Sequence, residues 1–520
     1  RLVVLAIHRA VDPEAFLASL HGGIPRTQEY LLDEVLVGLS SADRDTLLKS
    51  SILDRYCAEL IDEVCAGDDQ SAPSIPIGQA FIDLLQRSNL FSFELDPDGR
   101  WYRYHHLFQV LLQRELQRTF TAEDIVQLHL RASAWLEANG EIAESVKHAL
   151  TGRGEELAAD IVERHRRVVL EHDQWVTLRR WLDLLPTDLV WRRPDLLMAQ
   201  AWVAHHLLNG AEIASCVEQL EEIVDDTSAD PLLLAELNYF RSFLAYWSGD
   251  GTRARYCGEQ ALGVFPKDPG MMAGEIVLYL VLSRQMSGDS EAASELLKAE
   301  KALSSARISD FYLTRLYGAE AFFNILAGRL QVAGKAAEQL DSIARRCESV
   351  YAQAWSGYLV GLTSCQSNRL EEARRLFELT AEHRNVVDRK TALDTQAGLA
   401  LTSALMQRPD DAMRTVDEMD EFSQALRETE FILVAESCRA RVALLLGDQE
   451  NALRWARSVS LVADPASLFV WLDEPPLTQA RVRIVAGDEA ERREALESLD
   501  ELRRQLEALH NVGQTIEVDV

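Results

Sequence analysis

Two adjacent histidine pairs, His105-His106 and His205-His206, are the residues whose type and spacing come nearest to chemistry. An imidazole titrates near neutral pH, ligates metals, and donates well to an anionic oxygen. The second pair lies in a stretch of helical periodicity. Neighbouring side chains there point about 100° apart. No His-Glu-x-x-His or Cys/His spacing accompanies them, so they read as packing or surface histidines rather than a metal site. The first pair follows Trp101-Tyr-Arg-Tyr104 at a strand-to-helix junction, where His105 is either packed or poised for an anion. No Gly-x-Ser-x-Gly elbow occurs, and no Gly-x-Gly-x-x-Gly follows a strand. The nearest thing to a phosphate loop, Gly328 to Ala336, has one residue too many between its glycines, lacks the Mg²⁺-binding hydroxyl and lies in a helical stretch. The chain therefore reads as a non-enzyme.

What must position any site is a repeat. From residue 195 onward a turn signal recurs at Gly210, Gly249, Gly288, Gly328, Asn368, Gln407, Gly447 and Gly487, at intervals of 39 or 40 residues. Each marker separates two apolar-periodic segments of helical length. Gly or Asn can end the first helix in a left-handed cap, and the following Asp at 250, 289, 448 and 488 can cap the second. Five residues after the marker stands a small residue in seven repeats: Ser215, Ala254, Ala293, Ala333, Ala373, Ala412 and Ala452, with Arg492 the exception. Seven residues before it the residue is mostly small as well: Ser242, Ala321, Gly361, Ala400, Ala440 and Ala480, with Val203 and Val281 departing. Small residues flanking one turn let two antiparallel helices pack closely. The pattern predicts an all-α superhelix of TPR-like helix pairs, longer than the usual repeat of about 34 residues. A degenerate copy surrounds Gly140.

In such an array the first helices line an inner groove. Positions −13, −10, −6 and −3 from the marker are expected to face it. They give Glu236, Tyr239, Phe243 and Tyr246 in one repeat, Glu275 and Gln285 in the next, then Arg315 and Phe322, then Trp355 and Tyr358. Aromatics at helical spacing serve packing more often than binding. The functional alternative is an apolar, partly acidic trough for a small molecule or a partner helix.

Residues 27–120 do not follow the repeat. Segments 29–39, 42–53, 58–65 and 77–87 read as short amphipathic helices, 71–76 as a loop, and 90–95 with 101–105 as a hairpin about Asp96-Pro-Asp-Gly-Arg100. A further helix over 107–116 completes a winged-helix pattern. The helix before the hairpin carries one Arg and one Asp, too little for reading a DNA groove. Three runs, Tyr30-Leu-Leu-Asp-Glu-Val-Leu36, Ser50-Ser-Ile-Leu-Asp-Arg-Tyr-Cys57 and Trp101-Tyr-Arg-Tyr-His-His-Leu-Phe108, resemble the MalT-like branch of large LuxR-type bacterial transcriptional regulators. The resemblance implies a nucleotide-binding ATPase domain before the winged helix, a TPR-like sensor after it, and a LuxR-type helix-turn-helix beyond. It further implies that His105 senses nucleotide state by contacting the ADP β-phosphate. The family's motif places Asp after that histidine; this chain has His106.

The 520 residues carry a net charge of −30, which disfavours a broad nucleic-acid or anionic-membrane surface. No run approaches the roughly 18 apolar residues of a membrane span. The 7 cysteines show no Cys-x-x-Cys pairing and read as reduced thiols of a cytoplasmic protein. The expected organisation is the end of a preceding domain over 1–26, a winged helix over 27–120, degenerate helical repeats over 121–194 and a TPR-like superhelical sensor over 195–520. Both ends read as cut from a longer chain. No cofactor is expected within these residues; ATP or ADP belongs to the full-length protein. The expected partner is a small-molecule inducer or a regulatory protein, with DNA contacted through a separate C-terminal domain and self-association on activation. The alternative is a constitutive TPR-like scaffold for protein partners.

Overall fold

The computed structural model describes residues 36, 38–65, 76–88, 91–152, 154–225, 229–265, 270–302, 309–461 and 471–520. The expected domain end over 1–26, most of the helix over 29–39 and residues 71–75 lie outside the described residues. Those described form two compact units, one containing residues up to 165 with 180–190, the other 166–179 with 191–520. The division falls inside a helix, Glu155–Glu171.

The first unit begins with helices α1 (Ser41–Ser50), α2 (Ala58–Cys65) and α3 (Gly78–Arg87). The Ser40 hydroxyl caps α1 by accepting from the Asp43 N–H at 3.1 Å, which supplies one of the donors a helix start leaves unpaired. At Gly78 a Cβ would stand 2.0 Å from the Ala58 carbonyl oxygen, so only glycine lets α3 start against α2. Strands β1 (Ser92–Glu94) and β2 (Tyr102–Tyr104) pair antiparallel, with Ser92 opposite Tyr104. Their turn is fixed by Gly99 at φ +65° and by Asp96, whose carboxylate accepts from the backbone of Arg100 and Trp101. Helix α4 (His106–Thr119) follows. The core gathers Tyr56, Phe81, Tyr104 and Leu112. The rings of Tyr56 and Tyr104 lie 4.5 Å apart, and the Tyr104 hydroxyl pairs with that of Ser50 at 2.7 Å. Helices α5 (Ala122–Ala138) and α6 (Ile142–Gly152) then form the degenerate helix pair about Gly140, at φ +81°. The buried hydroxyl of Ser133 donates to the Ser145 carbonyl at 3.0 Å, where the small positions were expected.

After α7 (Glu155–Glu171), α8 (Trp175–Leu182) and α9 (Thr187–Arg192) come the helix pairs. In order they are α10 (Pro194–His206) with α11 (Gly210–Ile223), α12 (Pro231–Trp247) with α13 (Gly251–Leu262), and α14 (Met271–Met286) with α15 (Ser290–Ala302). Next are α16 (Asp310–Leu326) with α17 (Leu330–Arg346), α18 (Val350–Gln366) with α19 (Leu370–Ala381), and α20 (Arg389–Leu405) with α21 (Pro409–Leu426). Then come α22 (Thr429–Leu445) with α23 (Gln449–Ser458), α24 (Pro475–Ala486) with α25 (Glu489–Ala508), and a further helix α26 (Val512–Asp519).

Six markers adopt the left-handed conformation: Gly249, Gly288, Gly328, Asn368, Gln407 and Gly447. The alanines five residues later, Ala254, Ala293, Ala333, Ala373, Ala412 and Ala452, are all fully buried. The two end repeats differ from the sequence reading. In the first, the left-handed residue is Leu208 at φ +48°, Asn209 caps α11, and Gly210 is already helical. Counted from Leu208, the buried slots fall at Ala201 and Ile213, whereas Ser215 is exposed. In the last, Gly487 has φ −79° and an extended backbone, and Asp488 with Glu491 forms a capping box instead.

The first helices of the pairs are covered on nearly every side. In α14 every residue but Arg284 is buried. A helix apolar all round belongs in an interior, not beside an open trough. Two segments of the same unit supply the cover. Residues 166–175 meet α10, α12, α14 and α16 through Arg166, Glu171, Asp173 and Trp175. Residues 509–517 lie against α14, α16 and α18.

Candidate effector cavity

Of the ten groove positions read from the sequence, four line one cavity: Tyr246 from α12, Glu275 from α14, Phe322 from α16 and Trp355 from α18. Its volume is about 70 Å³, room for a handful of waters or one compact organic group. The helices deliver these side chains because each stands at −13, −6 or −3 from its turn, on the face that successive first helices turn toward one another. The Phe322 and Trp355 rings lie 5.6 Å apart, and Tyr246 meets Tyr279 at 5.5 Å.

The other six serve the interior. Glu236 is fully buried and accepts from Arg166 at 2.7 Å, Arg167 at 2.8 Å and the Trp202 indole at 2.9 Å. Tyr239 stacks on Trp202 at 5.0 Å, and its hydroxyl pairs with His205 Nε2 at 2.7 Å. Phe243 is buried against Tyr279, and Tyr358 donates to the buried Asp394 at 2.7 Å. Arg315 bridges Asp173 and Glu275, each at 2.7 Å. Gln285 donates to the His510 carbonyl at 2.6 Å, so the chain itself covers that position. These six are therefore not open groove residues. Residues 166–175 and 509–517 pack on the inner face that the sequence pattern leaves free.

The sequence reading also missed cavity residues, among them His205, Trp247, Tyr279, Tyr351 and Asp388. His205 was legible in principle. It stands at −3 from Leu208, the same offset as Tyr246 from Gly249, while the glycine of that turn, Gly210, lies two residues later. Both histidines of the pair are buried, with His205 on the cavity wall. Among the described residues no group of three or more His, Cys, Asp or Glu could hold a metal ion.

The electrostatics follow from burial. Burial, with His206 and Arg315 nearby, pushes His205 well below the ordinary imidazole range, so it is neutral, and its buried Nδ1 has no partner. Burial alone would raise Asp173, but Arg315 and His206 hold it below the usual carboxylate range. Burial opposes charge on Arg315 too, yet Asp173 and Glu275 hold it above its ordinary value. Burial raises Asp388 against the two Thr391 hydrogen bonds that favour its ionised form. The cavity thus presents aromatic faces, a neutral imidazole with a free ring nitrogen, and two carboxyl groups.

The family model of the MalT winged helix domain matches residues 32–124, and that of the MalT-like TPR region matches residues 235–520. The chain belongs to the MalT-like family. Among solved structures, the MalT-like chain is similar to a signal transduction ATPase with numerous domains from Pyrococcus horikoshii that carries a tetratricopeptide repeat sensor. That match has 14% identity over 97% of this chain and 74% of the other, with a TM-score of 0.41. It is also similar to a Rap protein solved with competence and sporulation factor, at 13% identity over 70% of this chain and 98% of the other, with a TM-score of 0.42.

In the MalT-like winged helix, His105 occupies the N-cap position of α4. Its backbone N–H donates to the Phe91 carbonyl at 2.7 Å, tying the strand end to the residue before β1. Its ring lies 6.0 Å from that of Phe93, and its buried Nδ1 has no partner. His106, the residue that departs from the family motif, opens α4. No described helix is long and apolar enough to cross a membrane.

Proposed function

We propose that this chain is the signal-sensing region of a MalT-like, LuxR-family transcriptional regulator of the cytoplasm, and that its repeat unit binds a compact effector. The carrying observation is the aromatic-lined cavity at Tyr246, Glu275, Phe322 and Trp355. Close packing normally leaves no such void, and polar groups with unfilled hydrogen-bonding capacity, here His205 Nδ1, are scarce in protein interiors. A ligand that stacks on the rings and donates to Glu275 or Asp388 suits that lining, a small cation included.

In this reading the winged helix reports nucleotide state through His105, whose buried Nδ1 has no partner. In the same reading, ATP or ADP is held by a separate ATPase domain, as the MalT-like resemblance implies. DNA is contacted by a separate helix-turn-helix, and self-association follows activation. The effector acts by binding one arrangement of the repeats better than another.

Isothermal titration of the chain with candidate metabolites tests the sensor reading, with the Tyr246→Ala/Trp355→Ala double variant as control. A ligand whose affinity is lost in that variant supports it. Unchanged affinity there removes the cavity from the proposal. Recovery of one stoichiometric protein partner, with no small molecule raising the melting temperature, favours a constitutive scaffold instead.

A further inference from the structure

A second cavity, of about 400 Å³, lies behind α26 in the same unit and is walled by α18, α20, α22 and α24. Its apolar wall includes Leu401 and Leu472, and its polar groups include Arg441, Arg481, Gln366 and Glu517. Helix α26 is seated by specific contacts. Gln366 donates to Glu517 at 3.0 Å, and Gln514 donates to Glu474 at 2.7 Å. A Cβ at Gly513 would stand 2.4 Å from the Ile325 carbonyl oxygen, so glycine is what permits the helix to lie this close.

Two guanidinium groups share this space, and their counter-charges are unequal. Arg441 donates to the Leu472 carbonyl at 2.6 Å and reaches the buried Asp473 at 3.4 Å. Among the described residues Arg481 has the single counter-charge of Glu517, at 3.9 Å; its side chain is 31% exposed, while its buried Nη1 has no hydrogen-bond partner. Burial and then the Arg441 charge hold the Arg481 guanidinium below its ordinary range, although Glu517 and Asp473 oppose this. Beside it the buried Oε1 of Gln366 also lacks a donor. A partly buried guanidinium with an unfilled, buried donor gains from an anion that completes it.

We infer that this cavity is a binding site for a small carboxylate with an apolar body, its carboxylate held by Arg481 and its body lying against Leu401 and Leu472. The volume falls in the range of small-molecule pockets. A guanidinium is the side chain whose planar fork best fits a carboxylate. Glu517 is the internal anion nearest that fork, so an incoming carboxylate competes with it and loosens the seat of α26. The site is independent of the aromatic cavity.

Thermal-shift and titration measurements on the whole chain test this, with octanoate and benzoate against octanamide and benzamide, and inorganic phosphate as a further arm. Either carboxylate is expected to raise the melting temperature while its amide does not. Arg481→Gln is expected to weaken carboxylate binding about tenfold or more, the loss of one charge-assisted bond. Leu401→Trp, which fills the wall and leaves the charges alone, is expected to abolish it. Equal shifts with the amides, undiminished binding in Arg481→Gln, or no response to either carboxylate would overturn the proposal. Binding of phosphate with no carboxylate response would overturn the apolar-body assignment.

Discussion

Arg166 donates to Glu236 at 2.7 Å with both side chains fully removed from solvent, across seventy positions of sequence. Asp195, Arg167 and Trp202 complete the group. A buried ion pair adds little over an apolar pair of the same volume, but breaking one leaves an uncompensated charge. Its structural consequence is to hold residues 166–167 against α12. Glu236→Ala is therefore expected to destabilise the second unit by about 3–5 kcal/mol. Arg457→Ala, at a solvent-exposed arginine paired with Glu491, is expected to cost far less. Urea-unfolding midpoints compare the two, and equal losses would remove the special standing of the buried pair.

The His129 and His148 rings meet through their Nδ1 atoms at 2.8 Å, which requires one nitrogen to donate and the other to accept. Burial, with the His129 and Lys147 charges, pushes His148 down to about 4. Between that value and the imidazole's ordinary value of about 6.5 the unfolded chain binds the extra proton and the folded chain does not, so stability falls as pH drops through this window, by roughly 3 kcal/mol in all. His148→Leu is expected to flatten that part of the first unit's stability profile. An unchanged slope between pH 6.5 and 4 would contradict the assignment.

Asp394 gives the opposite slope. Its carboxylate accepts from the Tyr358 hydroxyl and the Leu472 N–H, but burial, with Asp473 and Glu517 nearby, raises it to about 7. The folded chain holds a proton there that the unfolded chain releases near the ordinary carboxylate value of about 3.9, so this group's contribution to stability declines as pH rises from about 4 to 7. Asp394→Asn keeps an acceptor for Leu472 and is expected to raise the melting temperature at pH 8 relative to the parent chain. A lower melting temperature at pH 8 than the parent's would count against it.

The corrected register of the first repeat predicts an asymmetry between two positions the sequence pattern treats alike. Ala333→Leu overfills a fully buried slot and is expected to cost about 1–3 kcal/mol. Ser215→Leu lies on an exposed face and is expected to change stability by less than about 0.5 kcal/mol. Calorimetric melting of both variants decides whether the turn is set by Leu208 or by Gly210.

Local physics made the repeat legible. A left-handed turn favours glycine or asparagine, close helix contact favours small residues, and both recur at a fixed interval along the chain. The same reasoning located the hairpin about Gly99 and the winged-helix pattern leading to His105. It went astray at Leu208, where a bulky residue takes the left-handed conformation and Gly210 mimics it two residues later.

What the amino-acid sequence determined by itself was the helix pairs, their spacing, the family resemblance and the face on which Tyr246, Glu275, Phe322 and Trp355 lie. Only the tertiary structure decided that this face is mostly closed. Residues 166–175 and 509–517 cover it through contacts spanning up to 225 positions, such as Gln285 with His510. No periodicity records such contacts, because each depends on how the curvature of the stacked repeats brings distant segments together. For the same reason Glu236 and Arg315 became buried ion-pair partners, while Arg481 was left with an unfilled donor in a cavity.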